Sequence, residues 1–193
     1  MSRLGIRAAA LLAAASALAA CSSLTTITES WKAPGTAALH FQKVLVLALV
    51  RDEAARRVAE DALQAKLVGV PTVQSYQVLG PEDYRNKERA KGRLREDGFD
   101  GVVALRVVSS EQHATGVPGG YSSFWGYYDA FYPPMDLRLD TVVRVEINVY
   151  SLTEDKLLWA GRSETLDPQS ITQLISEIVA AADKELRKQG LIS

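Results

Sequence analysis

The chain has 193 residues, of which 22 are basic and 23 acidic, 47% are hydrophobic, two are histidines and one is cysteine. That near-neutral balance excludes the basic face a nucleic-acid binder needs. A single thiol excludes an internal disulfide, and with only His40 and His113 it gives no zinc set of the usual His/Cys kind, so neither a metal nor a dissociable cofactor is expected.

The first 20 residues read as an export signal. Arg3 and Arg7 precede an Ala/Leu run from Ala8 to Ala20, and Leu18-Ala19-Ala20-Cys21 closes it with small residues at a cut site. The 13-residue run before Cys21 is too short for a membrane-spanning helix, which needs about 20 apolar residues. Ordinary signal cleavage would leave an unpaired thiol in an oxidising compartment. The ending resembles the lipobox of bacterial lipoproteins, which implies acylation at Cys21. Ser22, where an Asp would signal inner-membrane retention, implies the periplasmic face of the outer membrane. Without Arg3 and Arg7 the chain from Cys21 onward has 20 basic and 23 acidic residues, a formal charge of −3.

Residues 21–40 are the lipidated N-terminus and a plausible tether, rich in Ser, Thr, Ala and Gly. Thr25-Thr26-Ile27-Thr28 and Trp31 favour a second reading, in which this stretch docks as an edge strand. Residues 41–193 form one domain of ordinary size. Val44–Val50 is continuously apolar, as in a strand buried on both faces. Asp52 fits an N-cap for a helix with Ala55, Val58, Ala59, Ala62 and Leu63 on one stripe. Arg56–Glu60 and Arg57–Asp61 pair on its other side, and Gly69 ends it.

Thr72–Leu79 is a second predicted strand. Pro81 suits the first turn of a second helix running to Asp97, closed by Gly98 with Phe99 returning onto Leu94. Gly101–Val108 is a third strand. Val142–Tyr150 alternates, with Val143, Val145, Ile147 and Val149 on one face and Arg144, Glu146 and Asn148 on the other. The Thr153-Glu154-Asp155 turn joins it to Lys156–Thr165 as a hairpin. Asp167-Pro168 begins the last helix, with Ile171, Leu174, Ile175, Ile178, Ala182 and Leu186 on one face, Gly190 at C′ and Leu191 folding back. The order β-α-β-α-β-β-β-α predicts a mixed five-stranded α/β sheet with helices packed on it.

Several of these segments carry a resemblance. The lipobox, Ser30-Trp31, Arg56-Arg57-Val58-Ala59-Glu60-Asp61, Gly98-Phe99-Asp100-Gly101-Val102-Val103, Tyr150-Ser151-Leu152, the run Leu157–Thr165 and the Lys188-Gln189-Gly190-Leu191-Ile192 end are similar to a group of proteobacterial lipoproteins. These motifs are specific to the group and to no chemistry. In element order alone the chain is also similar to the curli secretion lipoprotein and the amino-terminal domain of the Tol-system propeller protein.

Residues 112–140 are the main anomaly, since loops beyond about 15 residues inside a compact domain tend to be functional or disordered. Tyr121, Phe124, Trp125, Tyr127, Tyr128, Phe131 and Tyr132 place seven aromatics within twelve residues, and disordered linkers avoid aromatics. Two readings stand. The segment covers its own sheet, or it meets an envelope protein, a glycan or the membrane boundary, where Tyr and Trp combine apolar area with a polar tip. The basic run Arg85, Lys87, Arg89, Lys91, Arg93 and Arg95 reads either as a contact for anionic headgroups or as a solvated helix face.

Catalysis has little support. Ser109 and Ser110 near His113 lack a nucleophile elbow. Glu111, Asp136 and Asp140 flank the aromatic segment in the manner of a glycosidase carboxylate pair or of ordinary turn residues. The expectation is a lipid-anchored binding module, not an enzyme, with a cell-wall glycan hydrolase or an assembly subunit built through sheet edges as alternatives.

Overall fold

The computed structural model describes residues 25–108, 123–126, 142–166 and 168–192. Its elements are β1 (Thr25–Lys32), β2 (Val44–Leu49), α1 (Glu53–Lys66), β3 (Thr72–Gln74), α2 (Ser75–Val78), α3 (Lys87–Glu96), β4 (Gly101–Val108), β5 (Val142–Ser151), β6 (Lys156–Leu166) and α4 (Ile171–Lys188). They build a mixed α/β sheet of six strands in the order β1-β6-β5-β4-β2-β3. β2 runs parallel to β3 and β4, while β4-β5, β5-β6 and β6-β1 are antiparallel.

The sixth strand corrects the expected count of five. Thr25–Lys32 lies along β6 from Thr25↔Thr165 to Lys32↔Trp159, so this part of the supposed tether is the sheet's edge. The edge-strand reading offered by Thr25-Thr26-Ile27-Thr28 and Trp31 is the one this pairing supports. β6 supplies the hydrogen bonds, Ile27 and Trp31 reach the two cores, and the Thr25 and Thr165 hydroxyls meet at 2.6 Å.

Each sheet face has its own core. On one face α1 and α4 cover Val46, Ala48, Leu105, Val145, Ile147 and Trp159 through Ala59, Leu63, Leu174 and Ile178. On the other, α3 covers Leu45, Leu47, Val102 and Ala104 through Ala90 and Leu94, with Tyr84 and Phe99 closing the sides. With both faces covered, β2 is buried throughout, which explains its unbroken apolar run.

Local signals place the helix ends. The Asp52 carboxylate accepts from the Ala55 N–H at 2.7 Å as the N-cap of α1. Asn86 and Ser170 cap α3 and α4 by the same geometry, so α3 starts six residues after Pro81 and α4 four residues after Asp167. Gly98 and Gly190 take φ of +75° and +70°, and the next N–H groups return to Leu94 O at 3.0 Å and Leu186 O at 2.9 Å, the Schellman pattern at both helix ends. Two expectations fail. Thr72–Leu79 is a strand only to Gln74 before turning into α2, and Val58 on the supposed apolar stripe of α1 is exposed.

Candidate interaction surface

Phe124 and Trp125 are the two described members of the aromatic cluster, and residues 124–126 form a helical turn. Phe124 is completely buried and Trp125 nearly so. Phe124 meets Trp125 edge-on at 4.9 Å and Tyr150 at 5.4 Å, and the Lys91 ammonium lies 5.8 Å from the Trp125 ring. Such edge-to-face pairs add about 0.5–1.5 kcal/mol each beyond area burial. These two side chains therefore belong to the α3-side core, which corrects their assignment as partner contacts. Tyr121, Tyr127, Tyr128, Phe131 and Tyr132 lie outside the described residues, as do Cys21, His113, Glu111, Asp136 and Asp140.

Phe124 sits beside Tyr150, near the end of β5, whereas the segment leaves β4 at Val108 and rejoins the sheet at Val142. The path from those roots to Tyr150 follows about eight residues of β5, roughly 26 Å at 3.3 Å per residue. Phe124 therefore lies about that far from both roots, on the α3 side of the sheet.

The part of that face nearer the segment's roots is polar. Arg106 on β4, Glu146 on β5, Arg162 on β6 and Glu29 on β1 occupy one cross-strand row and alternate in sign. The Arg106 guanidinium holds Glu146 through Nε, at 3.1 Å, and Nη2, and Asn148 Nδ2 donates to the same carboxylate at 2.8 Å. Arg162 Nη1 reaches Glu29 at 3.0 Å, and in the next row Arg144 pairs with Glu164 at 3.0 Å. Glu146 and Asn148, on the polar side of the β5 alternation, are buried. The signal was present in the sequence: with the β5–β6 hairpin in register, Glu146 falls opposite Arg162 and Arg144 opposite Glu164.

A second buried carboxylate also departs from expectation. Glu60 is fully buried and not part of a surface pair with Arg56. Because β3 stops at Gln74, the Ala48 N–H has no neighbouring strand on that side, and Glu60 accepts from it at 3.1 Å. Glu60 also accepts from Ser75 Oγ at 2.6 Å and from the Tyr76 N–H at 3.2 Å, while Ser75 Oγ lies 2.9 Å from the Tyr84 hydroxyl. Burial pushes the Glu60 carboxyl above its ordinary value, against the lowering effect of these bonds and of nearby Arg56. This cluster ties α1, β2 and α2 together.

The basic helix is largely matched by acids. Arg85, Arg89 and Arg93 pair with Glu82, Asp83 and Asp97 at 3.8, 3.2 and 3.3 Å, and Lys91 lies 4.0 Å from Asp155. His40 is exposed. Among the described residues no group of three or more His, Cys, Asp or Glu is arranged to hold a metal ion, and no helix is long and apolar enough to cross a membrane.

No family model matches the chain, and no curated protein matches it. Among solved structures it is similar to two PelC dodecamers from Paraburkholderia phytofirmans. One, a single-substitution variant, is 16% identical over 85% of this chain and 98% of that one, with a TM-score of 0.41. The other is 14% identical over 88% and 99%, also with a TM-score of 0.41. At that level of likeness the residues themselves have to supply the function.

Proposed function

We propose that this chain is an outer-membrane lipoprotein of the periplasmic face that acts by binding an envelope partner, a protein or a glycan, and not by turnover. Cys21 carries the lipid, and acylation with more than one chain holds the domain stably at the surface. Confinement to that surface raises its effective concentration for membrane-proximal partners.

One observation carries the reading. Thr25 pairs with Thr165, Thr165 with Val143, and Arg144 with Val108. The start of β1 and both roots of the 109–141 segment therefore share one end of the sheet. Cys21 is four residues ahead of Thr25, so it lies within about 14 Å of that end at 3.3–3.6 Å per residue. An anchor there turns that end of the sheet toward the bilayer and holds the Phe124–Trp125 end, about 26 Å away along β5, out toward periplasmic partners.

The test is photo-crosslinking in cells from position 128, in place of Tyr128. The expected adduct is a defined envelope molecule, and it disappears in Cys21→Ala. Adducts identical in the wild type and Cys21→Ala would contradict the reading.

A further inference from the structure

Glu60 on α1 is fully buried and makes no ion pair among the described residues. A buried carboxylate ordinarily has a cation bonded to it. Arg56, one turn earlier on α1, instead lies with its guanidinium 4.4 Å from the centre of the Tyr84 ring, and its Nε has no hydrogen-bond partner among the described residues. A proton is therefore the counter-charge that Glu60 itself can take up.

The same carboxylate ends a chain of hydroxyls. Glu60 Oε1 accepts from the Ala48 N–H at 3.1 Å and Oε2 from the Tyr76 N–H at 3.2 Å, and neither donor can reverse. Ser75 Oγ lies 2.6 Å from Oε1 and 2.9 Å from the Tyr84 hydroxyl, and Ser75 and Tyr84 are both buried. A hydroxyl has one proton to give and lone pairs with which to accept. With Glu60 ionised, Ser75 donates to the carboxylate and accepts from Tyr84. With Glu60 protonated, Ser75 is the one group bonded to the carboxyl that can accept, so the acid donates to Ser75 and Ser75 donates to Tyr84. The Tyr84 proton then turns away from Ser75. The two charge states demand opposite directions of one chain.

We propose that Glu60, Ser75 and Tyr84 form a proton-sensing relay, in which gain or loss of a proton at Glu60 reverses the hydroxyl chain and passes the change to the segment that leads into α3. The relay rounds the edge of the sheet where β3 stops at Gln74. Glu60 belongs to α1 on one face, whereas Tyr84 belongs to the core that α3 closes on the other. The charged and titratable groups around Glu60 are Arg56 on α1, Tyr76 on α2 with its hydroxyl held by Asp61 at 2.6 Å, and Tyr84 before α3. From β2 the carboxylate meets backbone only. Burial pushes the Glu60 carboxyl above its ordinary value, against the bonds from Ser75, Ala48 and Tyr76 and the charge of Arg56. The chain therefore runs from Glu60 to Tyr84 below that raised value and from Tyr84 to Glu60 above it. The relay depends on neither the anchor nor the partner proposed above.

The test is a carbon NMR titration of the purified full chain between pH 4 and pH 8, following labelled Glu δ-carbons and Tyr ζ-carbons. Glu60 and Tyr84 are assigned by their loss in Glu60→Gln and Tyr84→Phe. The two signals are expected to shift with one shared midpoint, above that of the exposed glutamates. Ser75→Thr keeps the hydroxyl and should keep the shared step. Ser75→Ala cuts the chain, and it should raise the Glu60 midpoint further and remove most of the Tyr84 step. The infrared C–O stretch of Tyr84 in the wild type distinguishes a phenol donating to Ser75 from one accepting from it, so the direction is read even where Ser75→Ala does not fold. It should change from accepting to donating as pH rises through the Glu60 midpoint. A Tyr84 step unchanged in Ser75→Ala, as a through-space field alone would give, would overturn the proposal. So would a Tyr84 signal flat through the Glu60 transition, or a Glu60 carboxyl that titrates with the exposed glutamates or not at all.

Discussion

Replacing Glu60 by alanine removes at one stroke the acceptor of the Ala48 N–H, the Tyr76 N–H and the Ser75 hydroxyl. Ser75 keeps the Tyr84 hydroxyl as a neighbour, so two backbone donors are left buried and unmet. Each costs about 1–3 kcal/mol. Loss of the desolvated carboxylate offsets part of this, and the expected net destabilisation is about 3 kcal/mol at pH 7. Because burial raises the carboxyl's folded-state pKa, the native state holds its proton more tightly than the unfolded chain does. The corresponding stability is fully present below the unfolded value and declines as pH rises toward the folded one, then stays level. Glu60→Gln has no such titration. Urea unfolding of wild type, Glu60→Ala and Glu60→Gln between pH 4 and pH 8 reads both effects. The wild type should lose stability relative to Glu60→Gln as pH rises from the ordinary carboxyl range. A wild-type-minus-Gln difference that grows with pH, or an alanine variant within about 0.5 kcal/mol of wild type, would refute the reasoning.

Three further outcomes follow from packing and pairing. A Cβ on Gly161 would stand 2.3 Å from Trp159 Cη2, so Gly161→Ala should lower stability by roughly 1–3 kcal/mol, read as a fall in thermal midpoint. Trp125→Ala should cost about 3–5 kcal/mol by denaturant titration and leave partner capture by the folded fraction unchanged, as suits a core side chain. Glu146→Ala leaves Arg106 without its carboxylate and should cost about 3–5 kcal/mol, whereas an Arg106→Met, Glu146→Met double variant should recover much of that loss.

What the sequence disclosed was local. Asp52, Gly98 and Gly190 announce helix ends because a cap is a short-range hydrogen-bond arrangement, and the alternation in β5 names its α4-facing side. What it concealed was set by distant pairing. Residues 25–32 read as an edge strand, but nothing in them says that β6 is the strand they join. Glu60 looks like half of an i,i+4 surface pair, yet the early end of β3 leaves a backbone donor that draws the carboxylate inward. Arg106 and Glu146 meet only when β4 and β5 pair across the long segment between them. The aromatic cluster was legible as a segment that must bury something. Burial of Phe124 and Trp125 favours sheet cover for that part of it.

The most direct check on the central claim is to feed cells an alkyne-tagged palmitate and follow the chain through fractionation. Label at residue 21 in the outer-membrane fraction, absent from Cys21→Ala, is the expected result. An unlabelled chain recovered in the aqueous fraction would contradict the account.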